Sequence, residues 1–213
     1  MMDVTAPVRD LELVERALLS NQPVRDEDFD AIYPIAYRIA SDHFWTPVST
    51  ARRAAELLVK AGATRVLDVG SGVGKFCIVA ALTTERTTFV GIEHRASLVD
   101  AACRGARILN AERAEMVHGR LEDVKKDRFD GYYFFNPFAE NLTHATHLDD
   151  SVDLSEGRYH ADLRLSDSML ASAPLHTAVV TYYGRGGKMP PDFKLVHNER
   201  SSDGTLRLWI KGA

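Results

Sequence analysis

Three glycines on alternate positions, Gly70, Gly72 and Gly74, close the stretch VLDVGSGVGK, in which Asp68 interrupts the apolar run Val66 to Val69. The run reads as a buried strand and the glycines as the turn that leaves it. Each glycine carries an entropic cost, so three within five residues point to a backbone that a ligand must approach closely. Nineteen residues after Gly74, the stretch TTFVGIEHR reads as a strand ending on Glu93. A carboxylate at that offset can accept hydrogen bonds from both hydroxyls of a sugar. A further strand ends in GYYFFNPFAEN, which puts Asn136, Pro137 and Phe138 at the carboxyl edge of a sheet, where open α/β sheets bind ligands.

Two familiar glycine turns do not fit. A phosphate loop needs G-x-x-x-x-G-K-[ST], but three residues separate Gly70 from Gly74, and Lys75 is followed by Phe76. A dinucleotide turn needs G-x-G-x-x-G, whose third glycine falls here on Lys75. That mismatch weakens a nicotinamide-dependent oxidoreductase on a related fold without removing it.

These residues need elements to hold them. Strands are expected at 65–69, 87–93, 114–118, 130–135 and 176–183, with helices near 73–83, 95–109 and 158–172 between them. The alternation predicts an α/β fold, a Rossmann-like, mostly parallel sheet flanked by helices. Two alternating runs around Asp203 and Gly204 add an antiparallel C-terminal hairpin and bring the sheet to seven strands. Ahead of the first strand, a helix is expected from Pro47 to Gly62, with Thr46 as its N-cap. Apolar residues recur at helical spacing over 9–21 and 27–43, so residues 1–43 read as an N-terminal helical extension and 44–213 as one undivided domain.

The order Asp68, Gly70, Gly72, Gly74 resembles motif I, D-x-G-x-G-x-G, of the class I S-adenosylmethionine-dependent methyltransferases, and the similarity extends over about residues 44–213. It implies S-adenosyl-L-methionine as cofactor. The turn, with Ser71 inside it, would lie against the methionyl part, whose carboxylate would meet the amides opening the next helix. Asp68 would hold the amino end and Glu93 the ribose, with His94 lining the site. Trp45 and Thr46, in HFWTPVST, resemble the segment that packs on the cofactor ahead of motif I, although a helix cap with core aromatics explains them equally. In EMVHGRLEDV, Arg120 stands where the family commonly has an acid for the adenine amino group, so Leu121 and Glu122 become alternatives for that contact. The N-P-F at 136–138 is similar to the N-P-P-[YF] of nitrogen-methylating members, with one proline fewer. It is also similar to the N-N-F of histone lysine methyltransferases that lack a SET domain and share the G-S-G-V-G turn. Asn136 and the Pro137 carbonyl would then orient a substrate N–H, and Phe138 would wall the charged centre. A regulatory scaffold that binds the cofactor without turnover is the competing reading.

The rest of the chain narrows the acceptor. With 30 acids against 26 bases, the net charge of −4 disfavours a long nucleic acid and leaves a protein or a small molecule. No apolar run spans a bilayer and the N-terminus has no secretory core, so no membrane role and a cytoplasmic location are expected. Oligomeric state has no signature. His144, His147, Asp149 and Asp150 could ligate a metal but read as a solvated loop, and no metal is expected. Cys77 and Cys103 read as buried thiols. Tyr132, Tyr133, Tyr182 and Tyr183 read as core, with one of the last two a candidate for facing substrate. Arg185 and Lys188, in GRGGK, could grip an anion but read by default as an exposed loop.

Overall fold

The structure, a computed structural model, describes residues 6–39, 41–125, 129–142, 152–200 and 204–212. Its centre is one seven-stranded sheet in the order β3-β2-β1-β4-β5-β7-β6. The strands are β1 (Arg65–Val69), β2 (Thr88–Glu93), β3 (Ala114–His118), β4 (Gly131–Phe135), β5 (Ala178–Tyr182), β6 (Phe193–Arg200) and β7 (Thr205–Lys211). The first five are mutually parallel, and β7 and β6 add antiparallel pairings at one edge. This is the expected α/β architecture with its terminal hairpin. Gly204 of the hairpin turn is described, whereas Asp203 and the stretch holding His144, His147, Asp149 and Asp150 lie outside the described residues.

Because the chain runs from β1 outward to β3 and then returns to place β4 on the other side of β1, the carboxyl ends of β1 and β4 form the switch point of the sheet. The glycine turn and the N-P-F segment therefore emerge side by side. Strand alternation divides the core between two faces. Val66, Tyr133 and Val180 pack under α5 (Val48–Lys60), α6 (Lys75–Thr83) and α7 (Ala96–Ile108), while Leu67, Tyr132, Phe134 and Val179 pack with Met169 and Leu170 of α8 (Glu156–Ser172). Every residue of α6 from Lys75 to Leu82 is buried, as expected of a helix with apolar residues on all sides.

The N-terminal periodicity is only partly realised. Helix α1 (Ala6–Leu19) sends Val14 and Leu18 into the same core as α6. The single helix expected over 27–43 is instead three short ones, α2 (Asp26–Asp30), α3 (Ile35–Arg38) and α4 (Ser41–Phe44). Pro34 stands as the N-cap of α3 with ψ 144°; a ring without an N–H cannot continue a helix, and beyond it Ile35 and Ile39 are exposed, so the apolar spacing across it marks no common buried face. Thr46 is not the cap of α5. That position belongs to Pro47, and the Thr46 hydroxyl lies 3.0 Å from the Tyr133 hydroxyl, beneath the sheet. Tyr132, Tyr133 and Tyr182 are buried as read, as is Cys77; Cys103 is only half-buried. No helix among the described residues is long and apolar enough to cross a membrane.

Candidate active site

The three glycines serve three different ends. Gly70 (φ 72°) lies so close to the end of β4 that a Cβ would stand 2.9 Å from Pro137 Cβ. Gly74 (φ 75°), the residue before α6, packs on Met116 and Ala102, where a Cβ would meet atoms at 2.6 to 2.9 Å. Gly72 (φ 54°) faces open space, with nothing within 4 Å of a built Cβ. Only Gly72 is therefore small to leave room in front of the turn. The amides are also committed: those of Gly70 and Ser71 donate to Ile92 O at 3.0 Å, and that of Gly74 donates to Ser71 O at 2.8 Å. The Gly72 amide donates to Glu93 Oε2 at 3.1 Å. Most of the turn's hydrogen bonds thus hold its shape, and its glycines give access by lacking side chains.

Glu93, at the tip of β2, is buried, and its other carboxylate oxygen accepts from the Arg95 amide at 2.9 Å. One short strand end thereby stiffens both loops and presents an acid to the cleft between them. Asp68 is buried on β1, and among the described residues only the Cys77 thiol, 3.6 Å away, donates to it. Loss of hydration pushes its pKa up to about 8, a shift to which the nearby Glu93 charge adds. An acid so poorly compensated suits a cationic partner. Burial also lowers the pKa of His94, whose Nδ1 stands 3.4 Å from Glu93 Oε1.

Across the cleft, β4 ends in Phe135, and Asn136 turns the chain in the left-handed region (φ 40°), which asparagine tolerates better than most residues. Its amide donates to Gly184 O, at 2.9 Å, in the loop after β5. Phe138 is buried among the residues of the α8 face while also lining the cleft.

A cleft of about 200 Å³ brings together Trp45, Gly70, Gly72, Glu93, His94, Arg120, Leu121, Asn136, Pro137 and Phe138. A smaller cavity of about 30 Å³ beside it is lined by Trp45, Thr46, Asp68, Gly70 and Ser71. Phe44 and Phe135 line both, which makes the two spaces neighbours. Gly74 and Glu122 line neither. Glu122 is exposed on the 3-10 turn Leu121–Asp123, whose capping by Asp123 on the Arg120 amide (2.8 Å) keeps Arg120 and Leu121 at the cleft.

Sequence reasoning passed over several residues that the fold collects here. Arg95, 2% exposed, donates to Glu140 at 2.9 Å, and both line the cleft with Arg158 and Asp162 of α8. Lys75, which breaks both the phosphate-loop and the dinucleotide-turn patterns, is a buried ammonium paired with Asp26 (2.6 Å) and Asp30 (2.7 Å) of α2. It also lies 5.5 Å from the Phe29 ring centroid and 5.8 Å from that of Trp45. Tyr33 adds a hydrogen bond of 2.8 Å to Val73 O. The N-terminal helices are thus fastened directly to the glycine turn. Phe135 carried no motif, though its place at the end of the strand before N-P-F was a usable signal.

Comparison with known proteins agrees with this fold. Residues 60–152 match the family model described as a methyltransferase domain. That match spans somewhat less than half of the chain and takes in the glycine turn, Glu93 and the Asn-Pro-Phe segment, as the resemblance to methyltransferases implies. An RNA methyltransferase from Salinibacter ruber, solved with S-adenosyl-L-homocysteine, superposes with a TM-score of 0.56 at 20% identity, over 78% of this chain and 93% of its own. A Klebsiella pneumoniae protein assigned as an O-methyltransferase gives 0.61 at 14% identity, over 96% and 99%. The Bacillus cereus O-methyltransferase, also with S-adenosyl-L-homocysteine, gives 0.51 at 14% identity, over 99% and 93%. At these identities the likeness is one of fold. The search of curated proteins gives no match. Among the described residues, no three acids, histidines or cysteines are grouped to hold a metal ion.

Proposed function

We propose that the protein transfers a methyl group from S-adenosyl-L-methionine to a nitrogen of a small-molecule or protein acceptor. The observation that carries this reading is the pairing across one cleft of Gly72 and Glu93 on one wall with Asn136 and Pro137 on the other, fixed by the contact of Gly70 with Pro137. The residues present suit the cofactor: the open face of Gly72 admits it, Glu93 offers a carboxylate to sugar hydroxyls, and Asp68 lacks the cation that an α-amino group brings. When bound, the cofactor supplies an electrophilic methyl group on a sulfonium.

The chain's own part is orientation and exclusion of water. Asn136 Oδ1 and the Pro137 carbonyl accept from the acceptor's N–H and turn its lone pair inward. Phe44, Trp45, Phe135 and Phe138 provide apolar walls that tolerate positive charge. The similar structures are those of an RNA methyltransferase and of O-methyltransferases; nitrogen is preferred here because Asn-Pro-Phe supplies acceptors for an N–H. The net charge of −4 speaks against long nucleic acid. Arg185 is not the substrate grip that its loop suggested, since it is buried and paired with Asp167. Residues 44–213 form the catalytic unit, and the helices of 1–43 cap its cofactor end.

Asn136→Ala tests the reading. The expected outcome is at least about a tenfold loss of turnover with unchanged S-adenosyl-L-homocysteine affinity by calorimetry, as befits a group that orients the acceptor. Unchanged turnover would remove Asn136 from the reaction.

A further inference from the structure

The connection from β5 to β6 contains no helix, so the α8 face of the sheet is left uncovered towards β7. Residues 183–192 form a loop that stands over this gap. The buried Arg185 guanidinium holds it by donating to Ser166 Oγ (3.1 Å), to Asp167 and to Lys188 O, and Tyr159 Oη donates to Gly186 O (2.5 Å). Between loop and strands lies a cleft of about 440 Å³ that shares no lining residue with the two cavities above.

Its lining is chemically one-sided. Trp209, Phe193 and Met189 supply apolar surface, Arg207 and Lys188 supply charge, and no acid lines it. Arg207 is half-buried on β7, opposite Thr181 of β5 and Asn198 of β6, so neither cross-strand neighbour offers a counter-charge. Among the described residues, the Arg207 and Lys188 side chains have no hydrogen-bond or ion-pair partner. Exposure to water accounts for Lys188. It does not account for a half-buried arginine that lines one cleft with an indole in a chain of net charge −4.

We propose that this cleft is a second ligand site, which binds a small anion with a flat apolar body: the carboxylate or phosphate sits on Arg207 with Lys188 beside it, and the body lies against Trp209. A guanidinium fork matches either head group, and the indole offers a broad face to the rest. The site is independent of the methyl-transfer reading, though close to its machinery. Gly184 lines the cleft, and its carbonyl receives the Asn136 amide at 2.9 Å. An occupied cleft would therefore steady the loop that holds the acceptor edge.

Nuclear magnetic resonance of the full chain tests this, because the two tryptophans give two indole N–H signals that Trp209→Phe assigns. Titration with 1-naphthoate and with 1-naphthyl phosphate should shift the Trp209 signal saturably, with a Kd below about 1 mM for at least one of them. The tighter of the two tells carboxylate from phosphate. Neutral 1-naphthalenemethanol should bind at least about tenfold more weakly, and Arg207→Met should weaken the anion by a similar factor without changing S-adenosyl-L-homocysteine affinity. Should that variant not fold, Lys188→Met and the comparison of anion with alcohol on the natural protein decide the matter. No saturable shift by about 10 mM, equal binding of the neutral alcohol, or displacement of the anion by S-adenosyl-L-homocysteine would overturn the proposal.

Discussion

The two clefts of this protein lie on the same sheet but differ in charge: acids and arginines together line the first, whereas cations without an acid line the second. On the cofactor side stand the buried carboxylates of the described residues, Asp30, Asp68 and Glu93. Under the loop after β5 the lining has cations and no acid. On the proposed reading, a sheet edge of fixed geometry offers one place for a sulfonium with its amino group and another for an anion. The difference also shows how each charge is tolerated. Glu93 is satisfied by main-chain amides and Asp30 by Lys75, but Asp68 and Arg207 have little to compensate them, and these are the groups from which a ligand has most to gain.

Breaking the cofactor side at its one buried lysine should have the largest effect. Lys75→Met leaves Asp30 buried without its counter-charge and frees α2 from the glycine turn, so a loss of about 3–5 kcal/mol is expected, or a melting temperature about 10 °C lower. Calorimetry should show the double variant Lys75→Met/Asp30→Asn recovering part of that loss, because the stranded acid is gone.

A smaller and more discriminating effect separates two glycines. Gly74→Ala forces a Cβ against Met116 and Ala102 in a left-handed backbone, and the expected loss is about 2–4 kcal/mol of stability in chemical denaturation. Gly72→Ala meets no atom and bears only the left-handed strain, roughly 1–2 kcal/mol. Its main consequence should be at least a tenfold loss of S-adenosyl-L-homocysteine affinity. If the two variants bind the ligand equally well, Gly72 does not front the cofactor.

Proton linkage gives the finest test. The folded protein favours protonated Asp68, whose pKa is raised from an ordinary 3.8 to about 8. Between those values the folded state binds more protons than the unfolded state, so this residue makes the ligand-free protein less stable as pH rises through the window. A cation on Asp68 favours its ionised form. Binding of S-adenosyl-L-homocysteine at pH 7 should therefore release close to one proton, measured as the dependence of binding heat on the ionisation enthalpy of the buffer. Asp68→Asn should abolish that release.

Much of the frame was legible because it is written locally. The apolar runs that became β1 to β5 lie within two residues of their expected limits, since buried parallel strands are continuous and glycine or proline punctuates them. Where periodicity misled, over 27–43, Phe29 and Ile32 are buried but Ile35 and Ile39 are exposed, and the spacing could not register that Pro34 divides the helix. The site was legible only in part. Spacing marked Gly70, Gly72, Gly74 and Glu93 but gave them a common purpose, while packing gives each glycine its own. Glu122 and Arg120 are two residues apart, yet a 3-10 turn sends one to solvent and keeps the other at the cleft.

The sequence by itself determined the alternation of strand and helix, the turn after β1 and the acid at the end of β2, because these depend on neighbours a few residues apart. Only the tertiary structure decided that Lys75 is a buried cation, that Gly70 owes its identity to Pro137, and that Arg207 has no charge opposite it. Each of those facts is a contact, or the lack of one, between segments tens of residues apart, and closing such loops leaves no local pattern to read.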